Sequence, residues 1–145
     1  MALLIENEDG TLATQCALCE HPLAEPIFAT SHFIEDESDR LFCYSDAAMH
    51  WHCYADWDDQ QRFAAQYFDT VVSSEYKNPY WPTILSLPTI YMRANCDLSP
   101  PVADIDLRSI GPGPRVNLDN WTDWLAGTYR ETCSHPLALA ALDGV

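Results

Sequence analysis

Four metal-binding side chains at short, regular spacing constrain this chain more than any other feature. Cys16 and Cys19 are separated by two residues, and so are His50 and Cys53, thirty residues further on. A Cys-x2-Cys pair presents two thiolates from a tight turn, and ligands at positions i and i+3 of a helix can reach one point. Because zinc favours sulfur and imidazole donors, the pattern predicts a tetrahedral Cys3His site for one structural Zn2+ ion.

Two neighbouring residues compete for a place in this site. Cys43 lies near the end of a predicted hairpin, where it is either a rival for the place of His50 or Cys53 or a small buried thiol. His52 is two residues from His50, so a helical register turns it roughly 200° away, towards solvent. The prediction therefore assigns ligation to Cys16, Cys19, His50 and Cys53 and leaves Cys43 as the main alternative.

The charge of the chain bears on its partners. The net charge is −15, from 22 acidic residues against seven lysines and arginines. Nucleic-acid binding draws on counterion release by basic side chains, so this charge disfavours it. An acidic surface instead attracts basic proteins, although it also serves solubility alone. We expect a protein partner of basic character and no direct binding to nucleic acid.

The sequence offers no targeting or membrane signal. The opening "MALLIENEDG" has no basic flank, and its apolar run is too short for a signal peptide. No window approaches the ~18 apolar residues that cross a bilayer. We therefore expect a cytoplasmic protein, in which clustered cysteines bind metal rather than form disulfides. The isolated Cys96 and Cys133 are expected to be buried thiols.

The first half predicts a turn, a hairpin and two helices. Asp9-Gly10 marks a turn between two short extended segments. Residues 27–34 and 41–44 are β-prone and flank an acidic turn, "EDESD", so they predict a hairpin. Ser45 or Asp46 is a good N-cap for a helix through "DAAMHWHCYADW". A further helix through "QQRFAAQYFDTVVSS" carries an apolar face of Phe63, Ala64, Tyr67, Phe68 and Val71.

The second half predicts a connector, a hairpin and a helix. Residues 77–88 are rich in proline and are expected to be irregular. "PTIYMRANCD" and "PPVADIDLRSI" read as strands, "GPGP" as a tight turn and "RVNL" as the returning strand. "DNWTDWLAGTYRETC" predicts a helix capped by Asp119 or Asn120, and the apolar tail after it is expected to dock onto the body or onto a partner. Its inward face is predicted to hold Trp121, Trp124 and Leu125.

These elements predict an α+β fold in one domain. Residues 1–76 form a zinc-binding module, and residues 77–145 form a β-hairpin and a C-terminal helix packed on it. The order of "CALC", a hairpin and a helix opening with "HWHC" resembles the treble-clef zinc fingers, including the LIM and RING types. It is also similar to small bacterial zinc-binding proteins with "CxLC … SDxxxHxxC" cores. The resemblance implies a knuckle pair, Cys16 and Cys19, and a helix pair, His50 and Cys53.

A closed zinc site indicates binding rather than catalysis. Four protein ligands leave no position for water, and the three thiolates make zinc a poor Lewis acid. We expect a zinc-stabilised, acidic protein-interaction module, either an adaptor or an immunity protein of the antitoxin kind. Aromatic residues expected at the surface for docking are Trp51, Trp57, Tyr80 and Trp81. The alternative is a metal-dependent nuclease or other hydrolase on a treble-clef scaffold, with His32 as its catalytic candidate.

Overall fold

The computed structural model describes residues 3–132 and 135–144, and the chain divides into two compact units at Gln60. The fold mixes helices with two small antiparallel sheets, in agreement with the predicted α+β class. Within the described residues, no helix is long and apolar enough to cross a membrane. The prediction for Cys133 falls outside the described residues.

The first unit begins with the predicted turn at Asp9 and Gly10. The N–H of Asn7 donates to the carbonyl of Thr11 at 2.7 Å, and Gly10 has a φ of 85°. Glycine suits this left-handed conformation because it has no Cβ. The Asp9 carboxylate accepts hydrogen bonds from the hydroxyl and the N–H of Thr11, which lower its pKa.

The hairpin of the first unit has a different second strand from the one predicted. Strand β1 (Ile27–Ala29) pairs antiparallel with strand β2 (Ala48–His50), so that Ile27 faces His50. The predicted partner, residues 41–44, is wrong, because Phe42–Tyr44 form a 3-10 turn. Just beyond that turn, the Ser45 hydroxyl accepts the N–H groups of residues 33 and 34 at 2.8 and 3.1 Å. A side chain, rather than a second strand, therefore satisfies the backbone of that segment.

The first helix starts later than predicted. Helix α1 (Trp51–Asp56) has His50 as its N-cap, so the predicted start at Ser45 or Asp46 is wrong. Asp46 has a φ of 61°, a left-handed conformation that interrupts a right-handed helix. Pairing with β1 then keeps residues 48–50 extended.

Aromatic rings pack the core of the first unit. The ring of Phe28 stacks on Tyr54 with centroids 3.7 Å apart and meets Trp51 edge-on at 5.0 Å. Offset and edge-to-face ring pairs of this kind add stability beyond area burial. Trp51 is buried in this cluster. Its expected role at the surface is therefore wrong.

The second unit carries the second predicted helix. Helix α2 (Gln60–Ser73) presents the expected apolar face, in which Phe63, Ala64, Tyr67 and Phe68 are buried and Val71 is half-buried. The guanidinium of Arg108 pairs with the carboxylate of Asp69 on the outer side of this helix. The helical apolar period in the sequence is thus confirmed.

A four-stranded antiparallel sheet follows, in the order β3-β4-β5-β6. Its strands are Thr83–Ser86, Ile90–Asn95, Val102–Leu107 and Gly111–Asn117. The middle pair, β4 and β5, confirms two predicted strands. Strand β3, however, lies inside the segment that was predicted to be an irregular connector.

The "GPGP" segment belongs to strand β6, so the predicted turn there is wrong. Strand β6 is an edge strand, where prolines are tolerated because one side of the strand needs no donor. Gly113 fits because a Cβ there would lie 2.1 Å from the carbonyl oxygen of Ile105. The register also shifts opposite this segment, between Asp104 and Asp106, as expected for a bulge.

Asp106 is a buried carboxylate on strand β5. Arg93 donates to it at 3.0 Å from the neighbouring strand β4. Burial raises the pKa of Asp106 to about 6, although Arg93 and the N–H of Gly113 partly offset the effect. Burial disfavours the charged form of a carboxyl group, so the ionised form of Asp106 weakens the fold.

The C-terminal helical region is broken rather than continuous. Helix α3 (Trp121–Asp123) runs into a π-type segment, Trp124–Thr128, which is kinked at Gly127, where φ is 143°. Helices α4 (Tyr129–Thr132) and α5 (Pro136–Asp143) follow. Glycine accounts for the kink because other residues rarely adopt this φ.

The predicted inward face of this region is correct only in part. Trp124 is buried and Trp121 half-buried, but Leu125 is 57% exposed, so its predicted inward position is wrong. Asn120 stands at the N-cap of α3 without a side-chain hydrogen bond. Asn117 caps the preceding 3-10 turn instead, accepting from the N–H of Asp119.

Candidate metal centre

The first half of the site is a tight turn that begins at Cys16. The N–H of Cys16 donates to the carbonyl of His21 at 2.8 Å, and the Cys16 carbonyl accepts from Glu20 at 2.9 Å. Glu20 has a φ of 63°, which turns the chain back after Cys19. The N–H of Ala17 donates to the carbonyl of Ala48 on β2 at 3.0 Å. This last bond fixes the turn against the strand that leads to the other ligands.

The second half of the site lies at the junction of β2 and α1. His50 is the last residue of β2 and the N-cap of α1, and Cys53 lies in the first turn of that helix. The prediction placed both residues inside one helix, whereas His50 is in an extended conformation with a ψ of 140°. Their side chains nevertheless point to the same place. The spacing of two residues works at a strand-to-helix junction as well as within a helix.

The four candidate ligand atoms lie close enough together to hold one metal ion. The three sulfurs and one imidazole nitrogen all lie within 4.8 Å of one another. The Nδ1 of His50 is 3.4 Å from the Sγ of Cys19 and 3.7 Å from the Sγ of Cys53. With zinc bonds of about 2.3 Å to sulfur and about 2.0 Å to nitrogen, tetrahedral geometry places S and N about 3.5 Å apart. The two distances from His50 are therefore compatible with a tetrahedral site.

The other nitrogen of His50 orients the ring. Its Nε2 lies 3.2 Å from the carbonyl oxygen of Pro22. When Nε2 carries the proton and donates to this carbonyl, Nδ1 is left free to bind a metal. Histidine ligands commonly have such a partner, which fixes the tautomer and the orientation of the ring. This partner could not be predicted from the sequence, because every residue has a backbone carbonyl and residue identity does not show which one the imidazole contacts.

Hydrogen bonds to the sulfur of Cys16 favour its thiolate form, which is the form that binds a metal cation. Burial alone raises the pKa of the Cys16 thiol, but the N–H groups of Cys19, His50 and Leu18 point at its sulfur and bring the pKa down to about 6. The His50 N–H lies 3.4 Å from this sulfur. Burial raises the pKa of Cys53, and the sulfurs of Cys19 and Cys16 raise it further. Three sulfurs at this distance favour a state in which a bound cation replaces a proton.

The residues that compete for the site lie outside the ligand cluster. Cys43 is exposed on the 3-10 turn, so it is neither a ligand nor a buried thiol in this structure. His52 is exposed as predicted, but its ring stacks on that of His50 at 5.0 Å instead of pointing to the opposite side. Cys96 is also exposed, which contradicts its predicted burial.

The remaining functional candidates have ordinary surroundings. His32 is exposed and lies edge-on to the ring of Phe42 at 6.0 Å. Tyr80 is 68% exposed, whereas Trp57 and Trp81 are half-buried. Of the aromatic residues expected at the surface, only Tyr80 is largely exposed, and Trp57 and Trp81 are partly exposed.

Comparisons with protein-family models, curated proteins and solved structures give no match for this chain.

Proposed function

We propose that Cys16, Cys19, His50 and Cys53 hold one structural Zn2+ ion in a treble-clef-like module. The order of elements supports this proposal: a cysteine turn, the β1–β2 hairpin, and a helix with the second ligand pair at its start. Sulfur and imidazole donors at tetrahedral separations suit zinc better than oxygen-preferring ions such as Mg2+ or Ca2+. Because all four ligands come from the protein, no position remains for a reacting water.

We further propose that this unit binds a basic protein. Up to Gln60 the chain holds thirteen aspartates and glutamates and a single arginine, Arg40. Arg40 is already paired with Asp59 at 2.5 Å, so it offers little positive charge to a partner. Most of these carboxylates are exposed. The negative electrostatic potential of these carboxylates speeds encounter with positively charged surfaces and repels nucleic acid.

One observation carries the proposal: the acidic charge and the closed ligand cluster occur in the same small unit. A unit of this size has a limited core, and a bound ion can supply folding free energy that the core lacks. The ion would link the cysteine turn to the β2–α1 junction and so stabilise the unit that carries the exposed carboxylates. An adaptor or an immunity protein of the antitoxin kind, which covers a basic protein, fits these properties.

The proposal is tested by titrating the zinc-loaded protein into a basic protein of pI above about 9 and measuring heat at low and moderate salt. We expect saturable binding that weakens as the salt concentration rises, because dissolved ions screen the attraction between the carboxylates and the basic protein. A double variant of exposed residues in the first unit, Glu35→Gln with Glu37→Gln, should weaken binding. The matched control is Asp119→Asn with Asp123→Asn in the second unit, which should bind like the native protein.

Two results would count against the proposal. Equal loss of affinity in both double variants would show that the binding follows net charge alone and does not belong to the first unit. Absence of salt-sensitive affinity for basic proteins would remove the proposed partner class altogether.

A further inference from the structure

The two edges of the four-stranded sheet are built very differently. Strand β6 carries Pro112, Pro114 and the charged Arg115, all of which discourage another strand from pairing with it. Strand β3 contains no proline and no charged residue, although its pairing with β4 is irregular between Thr83 and Leu85. All four of its residues are exposed, including Ile84 at 51% and Leu85 at 37%. Within the described part of the chain, β3 has a strand partner on one side only.

The segment around β3 is also free of charge. From Asn78 to Met92 the sequence contains no aspartate, glutamate, lysine, arginine or histidine, although the chain as a whole has a net charge of −15. An exposed apolar strand is normally protected by charged side chains, lysine above all. Strand β3 lacks such charges in an otherwise highly charged protein, which leaves this edge open to pairing with another strand.

We propose that β3 pairs with β3 of a second copy of this chain, forming a homodimer with one continuous eight-stranded sheet. Two copies of an acidic protein repel one another, so they approach most easily where neither carries charge. A basic partner, by contrast, would gain nothing from this segment. Antiparallel pairing of identical strands is also isologous, which closes the assembly at two copies.

The flanking prolines set the length and register of this pairing. Pro82 and Pro88 lack an N–H and limit a new ladder to residues 83–87. An antiparallel pairing of these five residues with their own copy is centred on Leu85. In that register Leu85 faces the partner's Leu85, and Ile84 faces the partner's Ser86. Apolar side chains directly opposite one another in an antiparallel pair stabilise it.

This dimer should respond to salt in the opposite sense from binding to a basic protein. Salt screens the repulsion between two acidic copies, with a screening length of about 10 Å at 0.1 M and about 3 Å at 1 M. The apolar contact along β3 does not depend on that screening. The dimer should therefore become tighter as salt is raised, while the complex with a basic protein becomes weaker.

The test is sedimentation velocity of the full zinc-loaded chain over a range of protein concentrations, at low and high salt. We expect a monomer–dimer equilibrium whose dissociation constant falls as salt rises. The Leu85→Lys variant places two like charges opposite each other at the centre of the pairing, so it should weaken the dimer at least about tenfold. The matched control is Leu125→Lys, also an exposed leucine of the second unit, which should dimerise like the native chain.

A second variant and a measurement of secondary structure distinguish loss of pairing from loss of folding. Ile84→Lys should also weaken the dimer, and far-ultraviolet circular dichroism should show that both β3 variants keep the native secondary structure. A native chain that stays monomeric at all concentrations and salts would overturn the proposal. So would a dimer that Leu85→Lys and Ile84→Lys leave intact, or one that Leu125→Lys disrupts equally.

Discussion

Replacing one residue of the proposed zinc site should strongly destabilise the first unit. Cys16→Ser takes away a buried sulfur that faces the other three ligand atoms and accepts the N–H of His50. Serine keeps the size of the side chain but is a poor ligand for zinc, which prefers thiolate. If the four residues hold an ion as proposed, the three that remain no longer tie the cysteine turn firmly to the β2–α1 junction.

The size of the effect follows from the length of chain that the ion closes. Cys19 and His50 are 31 residues apart, and closing a loop of this length in the unfolded chain costs about 4 kcal/mol of entropy, by the relation used for disulfides. A unit that ends at Gln60 has a net stability of about 3–9 kcal/mol. Loss of the cross-link therefore removes a large part, or all, of the stability of the first unit.

The assay should report on the first unit itself. Amide hydrogen exchange followed by mass spectrometry gives the protection of residues in β1, β2 and α1 separately. We expect Cys16→Ser to lower the free energy of opening of these elements by about 4 kcal/mol or to unfold them. The matched control is Cys43→Ser, an exposed cysteine of the same unit outside the ligand cluster, which should change the opening free energy by less than about 0.5 kcal/mol.

An opening free energy in Cys16→Ser within about 1 kcal/mol of the native value, measured in zinc-loaded samples, would contradict this prediction. That result would mean that the core around Phe28 holds the unit together and that the ligand cluster adds little.

Three further predictions follow from the geometry. Zinc affinity, measured by competition with a chelator, should rise by at least about tenfold per pH unit between about pH 6 and 8, because the raised pKa of Cys53 means that binding must displace at least the proton of this thiol. The free energy of unfolding of the native chain should fall by about 3 kcal/mol as the pH rises from about 4 to above 6, because the pKa of Asp106 is higher in the folded than in the unfolded chain. Denaturant titrations of Asp106→Asn, whose side chain is neutral at every pH, should not show this decrease. Phe28→Ala should destabilise the first unit by about 3–5 kcal/mol in the same exchange experiment, whereas Leu4→Ala, at an exposed site, should change it little.

The ligand cluster could be predicted from the sequence because the signal for it is local. A spacing of two residues lets Cys16 meet Cys19 in a tight turn and lets His50 meet Cys53 at the start of a helix. The four residues lie together as predicted, although the secondary structure around them differs from the prediction. His50 ends a strand instead of lying within a helix, yet its imidazole meets Cys53 as the spacing requires.

The strand pairing of the first unit could not be predicted because it depends on contacts far apart in sequence. Residues 48–50 are extended only because they pair with residues 27–29, and "DAAM" by itself favours the start of a helix. The N-cap rule for Ser45 failed for a related reason. Its hydroxyl is used by the backbone of residues 33 and 34. Helix propensity is a weak prior, and tertiary contacts overrode it here.

The second unit shows where periodic patterns succeed and where turn signals mislead. Helix α2 and strands β4 and β5 have long apolar patterns and were predicted correctly. "GPGP" reads as a turn, yet it lies in β6, because an edge strand tolerates proline and the sheet accepts Gly113. The position of a strand at a sheet edge is a property of the whole topology, which single-sequence patterns do not encode.

Metal content per chain, measured on protein purified without added metal, decides whether the four residues form a closed structural zinc site. Elemental mass spectrometry of the native chain should give one zinc, which should be lost in Cys16→Ser and His50→Ala and kept in His52→Ala. The His52 variant is the matched control because its ring lies against His50 without belonging to the ligand cluster. A native chain without zinc, or zinc retained in full by His50→Ala, would contradict the account.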